Sequence, residues 1–308
     1  MGITDNIKIC EGISEISDSY TGIILDQWGV IHDGEAPYEG VIDALTNLKK
    51  RNKQIILLSN SGKRAEPNAE RLREMGFDTA LFDHIVTSGE MTWTGLRMQT
   101  EGIFKGLGKR CLLFSRGGDR SIVEGLDVEI VDSATDADFI LVSGSDAPEK
   151  TLADYEPDLK IGVRKGIKLL CANPDTKAIM GSKTLLGPGQ IAKRYIDFGG
   201  VAHFIGKPHQ PIFQYALSLF KNVLPSGVVV IGDSLSHDIL GGLNSSLDTC
   251  LVGTGLHASA FKGLQSDIAR RKALQILALN FGVKPDYFVP TFQWGKPLPD
   301  RKNKRRST

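Results

Sequence analysis

An α/β fold, with a parallel sheet and a second, smaller α/β unit set into the chain, is the class the sequence predicts. Three observations predict it. Short apolar runs alternate with segments of helical spacing, the β-α-β-α rhythm of a parallel, right-handed sheet. Two of those runs, Gly22–Leu25 and Val228–Ile231, carry no charge and lead into carboxylates, Asp26 directly and Asp233 after Gly232. Such runs read as strands buried on both faces, and ligands of open α/β sheets bind beyond the strands' carboxyl ends. Finally, the rhythm restarts after about residue 108 and the first pattern resumes near residue 204. The expected division is a discontinuous core of residues 1–83 and 204–308 around an inserted unit of 84–203.

Taken in order, Ile7, Ile9, Ile13 and Ile16 suggest a short helix over 7–19, followed by the Asp26 strand. Val41, Ile42, Ala44, Leu45 and Leu48 form a helical stripe, which stops at Lys49-Lys50-Arg51-Asn52 because cations suit a helix's last turn. Gln54–Leu58 is a second apolar run and ends in Ser59-Asn60-Ser61-Gly62. A helix over Pro67–Met75 closes on Gly76, and Ile85–Thr87 passes into another helix with Ser88 as the expected N-cap. In the inserted unit, strands are expected at Arg110–Phe114, Val128–Val131, Ala137–Gly144 and Gly166–Cys171, with a helix over Gln190–Phe198. Phe204-Ile205-Gly206-Lys207-Pro208 is read as the return to the first sheet. The Asp233 strand, a short helix through Ile239, Leu240 and Leu243, a strand at Thr249–Gly255 and a final edge strand near Pro285–Pro290 complete the chain.

Composition excludes several classes. The 308 residues carry 37 Lys+Arg against 36 Asp+Glu, so no basic field points to nucleic acid. The run Arg301-Lys302-Asn303-Lys304-Arg305-Arg306 reads as a solvated end. Cys10, Cys111, Cys171 and Cys250 lack metal-ligand spacing and suit a reducing compartment. No stretch approaches the ~18 apolar residues of a membrane span, and the amino terminus has no signal pattern, so a cytoplasmic protein is expected.

On one sheet edge, Asp26, Ser59, Lys207 and Asp233 bring together two carboxylates, a hydroxyl with the Asn60 amide beside it, and an ammonium. That set describes a site for Mg2+ and a phosphoryl group: Mg2+ takes oxygen ligands, and hydroxyl, N–H and ammonium groups neutralise phosphoryl oxygens. There is no GxxxxGK[ST] phosphate loop, and Gly253-Thr254-Gly255 is too generic to mark a dinucleotide site.

Val30-Ile31-His32-Asp33-Gly34, Asn173-Pro174-Asp175, Gly206-Lys207-Pro208 and Gly232-Asp233 with Asp238-Ile239 give the pattern a family resemblance. Over about residues 20–256 the chain resembles the haloacid-dehalogenase-like (HAD) superfamily, and within it the class IIA, nitrophenyl-phosphatase-like enzymes. The resemblance implies a Rossmann-like parallel-sheet core with an inserted α/β cap that selects a small phosphorylated substrate, and it leaves a homo-oligomer open. It implies Asp26 as the nucleophile, Ser59 and Asn60 on the phosphoryl oxygens, and Lys207 joining nucleophile and phosphate. Mg2+ would be held by Asp26, Asp233, the backbone carbonyl of Trp28 and, through water, Asp238. One position departs from the pattern. Family phosphatases carry a second Asp two residues after the nucleophile, as acid for the leaving group and base for water; here that residue is Trp28. His32 or Asp33 could substitute, while Asp175 is read as a cap–core contact. A phosphate-ligand binding or regulatory protein is therefore the competing expectation, and chemistry at another centre a third.

Overall fold

The computed structural model describes residues 7–180 and 183–295; the basic tail lies outside them. The described residues group into two units. One holds 7–55, 75–81 and 220–295, and the other holds 56–74 with the described part of 82–219. In chain order the strands are β1 (Lys8–Ile9), β2 (Gly22–Leu25), β3 (Gln54–Ser59), β4 (His84–Thr87), β5 (Arg110–Phe114), β6 (Glu129–Val131) and β7 (Phe139–Val142). They continue as β8 (Lys168–Cys171), β9 (Lys177–Met180), β10 (Lys183–Leu186), β11 (Ala202–Phe204), β12 (Val228–Gly232), β13 (Asp248–Val252) and β14 (Tyr287–Val289).

In the first unit the strands run β1-β14-β13-β12-β2, each parallel to its neighbour. Every residue of β2 and β12 is buried, which explains the absence of polar alternation in both sequences. Their register pairs Leu25 with Ile231, and the Asp26 N–H donates to the Ile231 carbonyl at 2.9 Å. Asp26 thus leaves the sheet level with Gly232, one residue before Asp233. The helix Val41–Lys50 buries Val41, Ala44, Leu45 and Leu48 and ends at Arg51, as its terminal cations anticipated. A second core cluster gathers Ile7, Leu235, Ile239, Leu251, Leu274, Val283 and Phe288.

Two expectations fail at this sheet. The segment 7–19 is not one helix: Lys8–Ile9 is a strand, and only Ser14–Ser17 is helical. Lys8 N–H and Cys10 N–H donate to the Asp286 and Phe288 carbonyls, both at 2.9 Å. That pairing makes β1 the edge, so β14 lies inside the sheet and is not the edge strand expected.

The second unit contains a parallel sheet in the order β11-β8-β7-β5-β6, the parallel pair β3–β4 and the antiparallel hairpin β9–β10. Side-chain alternation divides the five-stranded sheet's two cores. Ile140 and Val142 of β7 join Leu159, Ile191 and Tyr195 on one face, while Phe139 and Leu141 join Leu96 and Leu107 on the other. Burying each such aliphatic side chain contributes roughly 1.5–3 kcal/mol, so both faces must be covered. Helices Leu152–Lys165 and Ser88–Met98 supply part of that cover. The helix expected over Pro67–Met75 spans Ala65–Glu74, with Gly76 at φ +90° after it, and the one over Gln190–Phe198 spans Pro188–Asp197. The cap of Ser88–Met98 is Thr87, whose hydroxyl accepts the Glu90 N–H at 2.9 Å; Ser88 is already helical. A larger correction concerns Lys207. Its preceding strand, β11, pairs with β8, so Lys207 follows a strand of the five-stranded sheet and not a return to the first.

Candidate active site

Two clusters of polar groups lie beyond strand carboxyl ends, one in each unit. In the first unit, β2 delivers Asp26, β12 delivers Asp233 through Gly232, and the π-helical turn Leu235–Ile239 carries Asp238. One carboxylate oxygen from each of the three lies within 4.8 Å of the others. Asp233 and Asp238 are almost fully buried, and Asp26 is half-buried. An Asp233 Oδ2 atom accepts the Leu256 N–H at 2.7 Å, and Asp238 Oδ2 accepts the Ser234 N–H at 3.1 Å.

Glycine makes these seats available. A Cβ on Gly255 would sit 1.8 Å from Asp233 Oδ2, one on Gly29 would sit 2.2 Å from the same atom, and one on Gly232 would sit 2.1 Å from Asp238 Cγ. Gly29 and Gly255 also have φ of +82° and +66°, a region L side chains rarely enter. Thr254 Oγ1 donates to the Gly29 carbonyl at 2.5 Å and fixes the turn after Trp28. Sequence reasoning set Gly253-Thr254-Gly255 aside as generic. The signal that could have found it is its place at the carboxyl end of β13, the strand beside β12.

The donor set fits a hard divalent cation. It is all oxygen, and carboxylates gathered this closely in a buried site need an opposing charge or a shared proton. Oxygen ligands on opposite sides of one Mg2+ stand about 4.2 Å apart, so the 4.8 Å bound is compatible with a shared ion.

The two residues considered as substitute acid/base both accept backbone N–H groups. Asp33 Oδ1 accepts the Glu35 and Ala36 N–H groups, both at 2.9 Å, and these bonds hold its carboxyl below the usual carboxylate range. Those bonds favour the anionic form of Asp33, which suits it poorly to protonating a leaving group. His32 is buried, and its Nδ1 accepts the Gly34 N–H at 3.1 Å, which fixes a tautomer protonated on Nε2. Trp28 is half-buried and offers no ionisable group.

In the second unit, Ser59 ends β3 and Lys207 follows β11 through Ile205 and Gly206. Lys207 is buried, and its Nζ donates to the Leu58 carbonyl at 3.0 Å. Asn60 is a brace: its Oδ1 accepts the Lys207 N–H at 2.7 Å, and its Nδ2 donates to the Lys207 carbonyl at 3.1 Å and to Asp175 Oδ1 at 2.8 Å. Gly206 is required here, since a Cβ would lie 2.4 Å from Ser88 Oγ and 2.6 Å from Asn60 Oδ1, at φ +132°. Asp175, which sequence reasoning kept apart from catalysis, orients Asn60.

Thiol chemistry has no place. All four cysteines are buried, and burial pushes Cys10 up to about 11 and Cys171 up to about 12. Such thiols are small apolar side chains, not nucleophiles. No described helix is long and apolar enough to cross a membrane.

The chain was compared with known proteins. A family model described as haloacid dehalogenase-like hydrolase matches residues 23–129, and one described as HAD-hydrolase-like matches 204–292, together more than half of the chain. An acid sugar phosphatase of Staphylococcus haemolyticus is 28% identical over 242 residues, 77% of this chain and 87% of its own. Among solved structures, a haloacid dehalogenase-like hydrolase of Brucella suis 1330 aligns with TM-score 0.75 and 26% identity, over 92% of this chain and 99% of that one. The 4-nitrophenylphosphatase of Thermotoga maritima shares the fold, with TM-score 0.68 and 22% identity over 90% and 96% of the two chains. With its parallel α/β architecture and its aspartate cluster at strand ends, this chain belongs to the haloacid dehalogenase-like hydrolases and is a phosphatase-like enzyme of that family.

Proposed function

We propose that the enzyme is a Mg2+-dependent phosphomonoester hydrolase that acts on a small phosphorylated metabolite through an aspartyl-phosphate on Asp26. The observation that carries this reading is the Asp26, Asp233 and Asp238 cluster, with carboxylate oxygens within 4.8 Å in a glycine-lined seat. The acid sugar phosphatase relative supports a substrate of sugar-phosphate size.

In this reading an Asp26 oxygen bonds to phosphorus as the ester P–O bond breaks, and the leaving group departs as an alkoxide that takes its proton from solvent. Water then attacks phosphorus and gives a proton to solvent, the Asp26–phosphorus bond breaks, and inorganic phosphate departs. Asp26, Asp233, Asp238 and the Trp28 backbone carbonyl hold Mg2+, which when bound supplies positive charge to the carboxylate and phosphoryl oxygens. The Ser59 hydroxyl and the Lys207 ammonium bind phosphoryl oxygens. Because the Asn60 side chain is committed to Lys207 and Asp175, Asn60 serves there through its backbone N–H. Residues 84–203 act as the cap over the substrate.

A screen of phosphate esters with and without Mg2+ tests this, with Asp26→Asn as blank. Mg2+-dependent phosphate release above the blank is expected, and rates unchanged in excess chelator would remove the metal from the account. The second reading, a phosphate-ligand binder with weak turnover, is favoured by Trp28 and by the committed state of Asp33. Tight ligand binding without release above the blank would select it.

Lys207→Met should lower kcat/KM by about 10²-fold or more, the scale of losing one preorganised charge on a transition state. Its melting temperature should fall without loss of the fold, since methionine fills similar buried space but the Leu58 carbonyl loses the Nζ donor. An unaltered rate would remove Lys207 from the reaction. Gly255→Ala forces a Cβ against Asp233. It should weaken Mg2+ affinity about 10- to 100-fold by calorimetric titration, the cost typical of disturbing a ligand's support; unchanged affinity would separate the Asp233 seat from metal binding.

A further inference from the structure

Beyond the carboxyl edge of the second unit's sheet lies a cavity of about 580 Å3. That volume falls within the range of small-ligand sites, about 300–1,000 Å3. Its walls include Ser115 after β5, Ser143 after β7 and Asn173 after β8, the edge where α/β sheets bind ligands. The cavity is continuous with the segment proposed to bind phosphoryl oxygens. Ser61, another wall residue, donates its N–H to Ser59 Oγ at 3.2 Å, and a Cβ on Gly62 would lie 2.2 Å from the Ser143 carbonyl oxygen.

The lining is unsuited to a flat, apolar leaving group. Among the described residues of the lining none is aromatic and Ile122 is the one large aliphatic side chain, so a nucleobase would find neither stacking nor apolar cover there. Among the described lining residues Lys63, Arg71 and Arg116 are balanced by Glu70, Glu74 and Asp119, so these give no net field of one sign. Recognition must come from placement.

Arg116 has that placement. Its Nε donates to the Ser145 carbonyl at 3.3 Å, which orients the guanidinium plane. Its backbone is pressed against the next strand end, where a Cβ on Gly144 would meet the Arg116 nitrogen at 2.7 Å. Two carboxylates close to it in sequence or in the adjoining loop are bonded elsewhere. Asp119 Oδ1 accepts the Ser121 N–H at 2.9 Å, while Asp146 accepts the Gly117 N–H at 2.7 Å and pairs with Lys150 at 3.1 Å. Among the described residues Arg116 forms no ion pair. Its Nη edge is a planar, two-donor fork of the kind that matches a carboxylate or phosphate.

We infer that this cavity seats a hydroxylated leaving group and that Arg116 reads a second acidic group on it, a carboxylate or a second phosphate. Sugar-acid phosphates and sugar bisphosphates are then preferred over neutral sugar phosphates of the same length. This rests on Ser59 and Asn60 binding the reacting phosphoryl group.

The test compares kcat/KM for ribose 5-phosphate, ribonate 5-phosphate and ribose 1,5-bisphosphate in wild type, Arg116→Ala and Arg116→Lys. Wild type should favour at least one second-acid ester by about ten- to hundredfold, the range a charge-assisted hydrogen bond supplies. Preference for the ribonate ester alone assigns the fork to carboxylate, and preference for the bisphosphate alone assigns it to phosphate. Arg116→Ala should bring that ratio close to one, and Arg116→Lys, which keeps charge but loses the fork, should restore it only partly. A wild-type ratio near one, or a ratio the alanine variant leaves intact, overturns the inference. Calorimetry with phosphonate analogues of the three esters reads the subsite without turnover. An Arg116-dependent binding preference supports it even if hydrolysis proves independent of Asp26, which would instead overturn the hydrolase mechanism.

Discussion

Asp26→Asn should lose at least about 10⁴-fold in phosphate release while keeping its fold, because losing a covalent nucleophile removes the reaction path itself. The amide nearly matches the carboxylate in shape, and the Asp26 backbone N–H still bonds to Ile231, so the β2–β12 pairing is untouched. The substitution also removes one of three close carboxylates. Mutual repulsion falls, and the apo protein should melt at the same temperature or slightly higher while its stabilisation by Mg2+ shrinks. Thermal melts with and without Mg2+, set beside the rate assay, check both parts. A variant that retains a tenth of wild-type activity would move the nucleophile elsewhere.

Trp28→Asp should act in the opposite direction and raise steady-state turnover of alkyl phosphates by about 10²–10⁴-fold, the contribution of a positioned general acid. On this reading wild type is short of that group: Trp28 cannot ionise, and two backbone N–H groups hold the Asp33 carboxyl below the usual carboxylate range. Attack by Asp26 on phosphorus needs no acid, but expulsion of a poor alkoxide does. Wild type should therefore prefer nitrophenyl and acyl phosphates and show a product burst, because water also lacks its base when it attacks the aspartyl-phosphate. Trp28→Asn separates acid catalysis from space: it opens the same room without a carboxyl and should give no gain. Removing a large, half-buried side chain will cost some stability, less than the ~3–5 kcal/mol of a fully buried aromatic. Fast wild-type hydrolysis of alkyl phosphates without a burst would mean that another residue supplies the proton, and His32 and Asp33 would be the first to mutate.

The parts of the fold that were legible are those in which local pattern and burial coincide. β2 and β12 are buried on both faces and read as uninterrupted apolar runs, so Asp26 and Asp233 could be placed at strand ends from sequence. β1 has two residues, too few for any period to declare itself, and its isoleucines mimic helical spacing. Once β1 takes the edge, β14 becomes interior, a fact of pairing that its own sequence does not carry. Lys207 was found by its Gly206 and Pro208 neighbours, but sheet membership of β11 depends on β8, more than thirty residues earlier. The roles of Gly255 and Gly29 were not legible because each is to be small beside Asp233, and smallness at a distant contact leaves no local signature.

The central claim is a covalent phosphoryl group on Asp26, and rapid acid quench followed by peptide mass spectrometry tests it most directly. Wild-type enzyme mixed with nitrophenyl phosphate and Mg2+ should carry one phosphoryl group on the peptide containing Asp26 during the burst. That species should be absent in chelator and in Asp26→Asn, and should decline in Trp28→Asp as its hydrolysis quickens. Sustained Mg2+-dependent turnover with phosphate on another residue, or with no phosphoprotein in wild type at any quench time, would contradict it.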